Sequence, residues 1–331
     1  MLLMRTHFLH VHLLDTAIAS DNVGDEIIVE ACRTELAPLL KEAYVTTSSS
    51  HDGLGPLSRS LMASADVVFM LGTNALSQRR SRFRQSSHWP ITRDDFSVLK
   101  GKVVLVGVGA SRSYTSLQPR QRRFLRGLLS PRHVHSLRDE SALKIVEAAG
   151  HRGLNTTCPT LWRWRGAQPN LSHEAAGEVC FTLTQHKPDA VQDGKMIDIL
   201  RSRYQRLWFW PQQPRDLGYL DSLRGLDEIH VVAPNLAAYD TLLSRKVDVI
   251  GTRLHGTIRG LGHGCRSIVI GIDNRAKEIA AHTGLEVIDR SVLEDALPLA
   301  ITRRSGATLE VDGAVIDRFL GQFRLRDVTS A

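Results

Sequence analysis

Val247-Asp248-Val249-Ile250-Gly251-Thr252-Arg253-Leu254-His255-Gly256 reads as a strand that ends in a glycine turn and hands an Arg and a His to a helix-compatible segment beginning near Thr257. Such a strand delivers its last residues to the sheet edge where open α/β folds bind ligands. A helix N-terminus there offers free N–H groups and the positive end of a dipole to a phosphate. Arg253 supplies a planar fork for a carboxylate or phosphate, and His255 an imidazole that exchanges a proton near neutral pH. The same Arg-x-His also suits a structural role, capping the turn or pairing with a neighbouring acid.

Working outward from this unit, strands and helices alternate in both halves of the chain. In the first half His7 to Leu14, Ala65 to Leu71, Val103 to Val108, His133 to Ser136 and Gly153 to Thr157 read as strands. Asp25 to Leu40, Pro119 to Leu129 and Glu140 to Ala149 have helical spacing, the last stopped by Gly150. In the second half the strands are Glu178 to Leu183, Leu207 to Trp210, Ile229 to Ala233, Val247 to Ile250, Ser267 to Ile272 and Glu286 to Ile288. Helices fall between them over Ala190 to Arg203, Leu236 to Lys246, Thr257 to Gly262 and Ala276 to His282, with a terminal one over Gly313 to Phe323. The expectation is an α/β protein of two doubly wound, Rossmann-like domains with parallel sheets. Its parts are residues 1–168 and 177–331, divided where Gly166, Pro169 and Asn170 break the periodicity.

Length and composition agree, since 331 residues exceed what one core usually serves, and 42% hydrophobic with 23% charged residues supports two folded domains. No apolar run approaches the roughly 18 to 20 residues of a bilayer span. The opening segment lacks a small-residue cleavage site and reads as a strand, so the protein is expected in the cytoplasm. Cys32, Cys158, Cys180 and Cys265 form no CxxC pair and are expected as reduced, mostly buried thiols. His7, His10 and His12 lie on a strand without acids or cysteines in metal spacing, so packing is the better reading and no metal site is expected.

The net charge of +7 is unevenly spread: residues 1–168 carry 22 Lys+Arg against 14 Asp+Glu, or +8, and the remainder 20 against 21, or −1. The excess gathers in Arg79-Arg80-Ser81-Arg82-Phe83-Arg84 and in Arg120, Arg122, Arg123 and Arg126. An anionic partner and a solvated basic face both account for it. Nucleic acid is not the expected partner, because the arginines are not interleaved with several stacking aromatics. Trp162 with Trp164, and Trp208 with Trp210, are each spaced to share one face of an extended segment, for core packing or for stacking a sugar ring.

Several short motifs occur in a fixed order. They are Asn22-Val23-Gly24-Asp25-Glu26, Gly72-Thr73-Asn74, Gly107-Val108-Gly109-Ala110, Ser136-Leu137-Arg138-Asp139-Glu140-Ser141, Cys158-Pro159-Thr160 and Thr252-Arg253-Leu254-His255-Gly256, followed by Asp273 and Lys277. In this order and spacing the chain resembles the polysaccharide pyruvyl transferase family from about Asn22 to Arg290. It departs from that family in carrying Gly72-Thr73-Asn74 where many relatives have a richer glycine run. The resemblance implies a GT-B-like fold, two domains facing a cleft, and an enzyme that moves a pyruvyl unit from phosphoenolpyruvate onto two hydroxyls of a sugar. Phosphate leaves and a cyclic ketal remains, on a bacterial surface-glycan precursor. It implies no further cofactor, and an acceptor that is a sugar, nucleotide sugar or lipid-linked glycan, with peripheral contact at the inner face of the membrane.

Ketal formation must protonate the methylene carbon, make C2 electrophilic, deprotonate the attacking hydroxyls and expel phosphate. His255 is the candidate general acid, with a purely electrostatic contact to phosphate as the alternative. Arg253 and Arg138 are the candidate anion clamp, joined on the donor side by Lys277, Gly256 and Thr257. For Arg138 an ion pair with Asp139 or Glu140 competes. Asp25 and Glu26 make the start of their helix negative, which repels a phosphate and suits sugar hydroxyls. Asp25 is therefore the candidate base, or else only a dipole partner. Asn22, Gly24, Asn74, Arg80 and Arg82 complete the expected acceptor side, Asn22 having an N-cap as its competing role. A nucleotide-sugar glycosyltransferase and a non-catalytic glycan- or polyanion-binding protein are the other readings.

Overall fold

A computed structural model describes residues 8–76, 89–110, 117–171, 176–223, 228–303 and 308–324, the side chains of 274 and 275 excepted. Arg80, Arg82 and His7 lie outside the described residues. The chain divides into two compact units. Among the described residues, one takes 8–20, 28–162 and 312–324, and the other 21–27 and 163–311. Relative to a single division between 168 and 177, the terminal helix groups with the first unit and the Asn22-Val23-Gly24-Asp25 motif with the second.

In the first unit β1 (Leu9–Asp15), β2 (Ala43–Ser49), β3 (Val67–Leu71) and β4 (Val103–Val106) form a parallel sheet in the order β2-β1-β3-β4. A second parallel pair, β5 (His135–Leu137) and β6 (Gly153–Asn155), follows β4 through a bridge between Val108 and Leu137. The helices are α1 (Val23–Leu40), α2 (Pro56–Ser64), α3 (Arg93–Leu99), α4 (Pro119–Leu128), α5 (Glu140–Ala148) and, from the end of the chain, α12 (Gly313–Gly321). All five residues of β3 and all four of β4 are buried, and a strand covered on both faces reads as a continuous apolar run. Val68, Met70, Leu105, Leu128 and Val146 sit in one cluster, each contributing on the order of 1.5–3 kcal/mol by burial.

The second unit has six parallel strands, β7 (Glu178–Thr182), β8 (Arg206–Phe209), β9 (Ile229–Val231), β10 (Asp248–Gly251), β11 (Ser267–Gly271) and β12 (Val287–Asp289), in the order β12-β11-β10-β7-β8-β9. Its helices are α6 (Ala190–Arg203), α7 (Pro214–Ser222), α8 (Leu236–Leu243), α9 (Leu254–Gly262), α10 (Asn274–Thr283) and α11 (Leu293–Arg303). Phe181, Phe209, Ile250, Ile268 and Ile270 form its core with Met196 and Leu297. The chain runs outward from β7 to β9, then returns to lay β10 on the other side of β7. The crevice at the carboxyl ends of β7 and β10 is the topological switch point, where such sheets bind ligands.

Several expectations are corrected. The strand β2, absent from the sequence reading, is a half-exposed edge strand rich in Thr and Ser, so its alternation carries little apolar signal. The helices α2, α3, α7 and α11 were likewise not expected; α2 and α7 open on Pro56 and Pro214, and α11 holds Pro298 inside. Trp162 and Trp164 lie in a 3-10 turn over Pro159–Trp164, not on an extended segment. Trp162 is buried and donates to the Thr156 carbonyl at 2.7 Å, while Trp210 is buried and stacks on Tyr239 at 3.8 Å. His10 Nε2 and His12 Nδ1 both meet Thr46 Oγ1, at 2.9 and 2.8 Å, which is the packing reading of that pair.

Candidate active site

At the switch point of the second unit Gly251 pairs with Thr182 across β10 and β7. A Cβ on Gly251 would stand 2.4 Å from the Thr182 carbonyl oxygen and 2.3 Å from its hydroxyl, so no larger residue fits. The chain then leaves the strand still held by Thr182: Thr252 N donates to its carbonyl at 3.0 Å, and Arg253 N to its hydroxyl at 3.2 Å. Helix α9 starts at Leu254, three residues before the expected Thr257, with Arg253 as an N-cap that supplies no side-chain bond. His255, half-buried, therefore lies in the first turn.

The missing cap comes from Gln212, buried in the loop after β8. Its Oε1 accepts the Gly256 N–H at 3.1 Å, and its Nε2 donates to Asn22 Oδ1 at 2.8 Å. Asn22 Oδ1 also accepts Gly24 N at 3.1 Å, and Asn22 Nδ2 donates to Asp25 Oδ1 at 3.2 Å. One carboxamide thus ties the Asn-x-Gly-Asp motif, 190 residues before Gln212, to the Arg-x-His-Gly motif, whose Gly256 lies 44 residues after it. Tyr239 OH closes the far side of the turn on the Gly256 carbonyl at 2.9 Å.

This network revises several expected roles. Asn22 caps α1 through Gly24 N and holds Asp25 through its Nδ2, so beside the expected acceptor contact it positions Asp25. At Gly24 a Cβ would meet the end of the Gln212 side chain, so a larger residue there would displace the Gln212 amide from Asn22. The Gly256 N–H is taken by Gln212 and is not offered to a phosphate. Thr257 is wholly buried and its hydroxyl donates to the Arg253 carbonyl at 3.0 Å, which makes it a brace for the turn.

Arg253 is anchored by Asp216, a fully buried acid of α7. Arg253 Nε donates to Asp216 Oδ2 at 2.8 Å and to the Leu183 carbonyl at 3.3 Å, while Nη2 reaches Asp216 Oδ1 and, at 2.7 Å, Gln213 Oε1. The same carboxylate accepts the backbone N–H groups of Gln213 at 3.0 Å and Gln185 at 3.2 Å. One edge of the guanidinium is therefore committed within the protein, and Nη1 is the edge that remains for an anion. Beside this pair, a depression of about 550 Å³ is lined by Gln185, Pro188, Arg215, Gly218, Tyr219 and Ser222. Behind it Tyr219 OH donates to Asp193 Oδ2 at 2.6 Å, and burial raises the Asp193 carboxyl above its usual range although Tyr219 and Arg290 oppose the shift.

Arg138 and Asn74 belong to the first unit. Gly72 and Thr73 both take left-handed backbone, at φ 64° and 58°, and Gly109 N donates to the Thr73 carbonyl at 2.9 Å. This lays the loops after β3 and β4 together, and Arg138 Nη2 donates to Asn74 Oδ1. Neither competing ion pair forms: Asp139 caps α5 through Ala142 N at 2.7 Å and accepts Ala110 N at 3.1 Å, and Glu140 accepts from Asn155 at 2.7 Å. Arg138 is buried, and its Nη1 has no hydrogen-bond partner among the described residues. Lys277 pairs with Asp289 at the end of β12, and this contact holds the Asp289 carboxyl well below its usual range. The expected donor contact of Lys277 thus competes with a partner already in place.

The sequence profile of polysaccharide pyruvyl transferases matches residues 22–274. The chain belongs to that family. The match opens on Asn22 and contains Arg138, Arg253 and His255, while Lys277 lies just past its end. The family is one of transferases, and the enzyme is assigned to that class. Among solved structures, a UDP-GlcNAc 2-epimerase from Methanocaldococcus jannaschii, in complex with UDP-GlcNAc and UDP, superposes with a TM-score of 0.53 at 11% identity, over 95% of this chain and 98% of that one. A putative UDP-N-acetylglucosamine 2-epimerase from Listeria monocytogenes gives 0.51 at 13% identity, over 94% of each chain. At such identities the likeness is one of fold, two Rossmann-like domains of the GT-B-like class. No curated protein sequence matches. No helix among the described residues is long and apolar enough to cross a membrane.

Sequence reasoning on this pyruvyl transferase missed Gln212, Gln213, Asp216 and Tyr239. The signal available was Gln212-Gln213-Pro214, two amides before a proline at a helix start, but nothing local shows what those amides reach.

Proposed function

We propose that the enzyme transfers the pyruvyl unit of phosphoenolpyruvate to two hydroxyls of one sugar in a bacterial surface-glycan precursor. The observation that supports this reading most is the joining of Arg253, His255 and the Asp25 motif through Gln212 at a ligand-binding sheet edge. In the proposed reaction His255 gives a proton to the methylene carbon, which becomes the methyl group. C2 gains positive character and accepts the first sugar oxygen. The C2–O bond to phosphate then breaks, and the second hydroxyl closes the ketal. Of the two hydroxyl protons, one restores the acid and one leaves with phosphate. Arg253 Nη1 is the assigned anion contact of the second unit, Arg138 Nη1 is by itself a candidate anion contact of the first, and Asp25, oriented by Asn22, is the assigned base. Phosphoenolpyruvate is the co-substrate and no metal or other cofactor enters the scheme. The setting proposed is the cytoplasm, at the inner face of the membrane.

Calorimetric titration of phosphoenolpyruvate into wild type, His255→Ala and Arg138→Ala, beside a nucleotide-sugar panel, tests the proposal. Saturable binding to wild type that weakens at least about tenfold in Arg138→Ala is expected, since a buried charge-assisted contact is lost. Binding of nucleotide sugars alone would instead favour glycosyl transfer, and no phosphate release with any glycan acceptor would end the pyruvyl reading.

A further inference from the structure

Helix α4 carries Arg120, Arg122, Arg123 and Arg126, all exposed, and no acidic residue. Its buried side is Leu125 and Leu128, with Phe124 packed against the core through Phe96 at 5.5 Å. At 100° per residue Arg122, Arg123 and Arg126 fall on the side opposite that apolar stripe, and Arg120 lies at its border. None of them makes an ion pair or a side-chain hydrogen bond among the described residues. At the end of the helix Arg126 lies beside Gly150, and the exposed Arg152 donates to the carbonyl of the exposed Arg132 at 3.3 Å. The basic stripe therefore continues past α4.

A helix face kept for solvent usually mixes both signs. This one also sets its charge against its own dipole. The helices α1, α3, α5, α6, α7 and α11 place acids in the first turn, as the positive end of the dipole favours. In α4 the first turn holds Pro119, Arg120 and Gln121, followed at once by Arg122 and Arg123. Such an arrangement is unfavourable in the free protein and is relieved when an anionic surface covers it.

We infer that the exposed face of α4 docks on the anionic headgroups of a lipid bilayer. A bilayer suits the geometry because the four arginines spread over about 9 Å along the exposed side of a single helix. Nucleic acid fits less well, since no exposed aromatic is interleaved with these arginines to stack a base. The inference adds a surface to the proposed function, and its argument stands on α4 whether or not phosphoenolpyruvate is the donor.

The test is co-sedimentation of the full chain with phosphatidylcholine vesicles and with vesicles of phosphatidylcholine mixed with phosphatidylglycerol. Wild type is expected to bind only the anionic vesicles, and to release them as salt rises and the Debye length shortens. Each arginine near such a surface is worth about fivefold in partitioning, so Arg122→Gln/Arg126→Gln should bind roughly thirtyfold more weakly. Lys41→Gln/Arg203→Gln removes the same charge elsewhere and should bind as wild type does. Circular dichroism and phosphoenolpyruvate titration on the same preparations separate a loss of fold, or a failure of the proposed donor, from a loss of docking. Equal binding to both vesicle types, or equal weakening in both double variants, overturns the inference. Tight binding of a labelled single-stranded oligonucleotide with none to vesicles does so as well.

Discussion

Gln212 sits at the residue scale as the piece that makes one site of two distant motifs, because both ends of its amide are used in a buried setting. Gln212→Leu removes the acceptor of Gly256 N–H and the donor to Asn22 Oδ1, so stability should fall by about 1–3 kcal/mol, and phosphoenolpyruvate binding should weaken with it. Gln212→Glu retains the acceptor and should hold the α9 turn better, which thermal denaturation of the two variants will show. Asp216→Ala should cost more, about 3–5 kcal/mol, since it leaves Arg253 buried without its counter-charge and strips acceptors from Gln185 and Gln213. If Asp216→Ala melts within a degree of wild type, the anchoring role given to it is wrong. The sequence made Arg253, His255 and Asp25 visible because Arg, His and Asp carry their chemistry in their identity. It hid Gln212 and Asp216 because an amide or a carboxylate acquires this meaning only from what it touches.

At the scale of elements, the βα unit from β10 to α9 depends on the close approach of Gly251 to Thr182. Gly251→Ala should force β10 away from β7, disturb the bonds Thr182 makes to Thr252 and Arg253, and lower stability by about 2 kcal/mol or more. A melting temperature unchanged in that variant would show that the strands can separate at no cost. The same unit was legible as strand, turn and helix from Val247-Asp248-Val249-Ile250-Gly251, yet the helix was expected to begin at Thr257. It begins earlier because Gln212, from another loop, caps it. Edge strand β2 escaped detection for the converse reason, having too little buried surface to imprint an apolar period on its sequence.

For the whole molecule, buried histidines set the response to acid. Leu105 N–H donates to His135 Nδ1 at 3.2 Å, which leaves the ring proton on Nε2 to meet the Ser130 carbonyl at 3.1 Å. Burial pushes His135 down to about 3, helped by His151, and His12 down to about 4, helped by His10. Above about pH 6.5 both rings are neutral folded or unfolded and contribute nothing to the pH dependence. As pH falls below that value the unfolded chain takes up protons that the folded protein refuses. Stability therefore drops by a few kcal/mol, on the order of 1.4 kcal/mol per unit per ring, down to about pH 4 for His12 and pH 3 for His135. Denaturant melts between pH 7 and 4.5 should show this slope in wild type and a shallower one in His135→Gln. A parallel slope in both would remove the histidine from the account.

The sequence by itself determined the class of fold, because buried parallel strands and amphipathic helices impose different apolar periods on their residues. It also determined the family, whose motifs survive as short ordered strings. Tertiary structure alone decided which of those strings meet. Asn22 and Gly256 come together because β8 and β10 flank β7 in one sheet, and Gln212 at the end of β8 reaches both. Hydrogen-bond partners are a property of space and not of order along the chain, so no reading of spacing could assign the Gln212 amide to Asn22 and Gly256, the Thr257 hydroxyl to the turn, or one edge of Arg253 to Asp216.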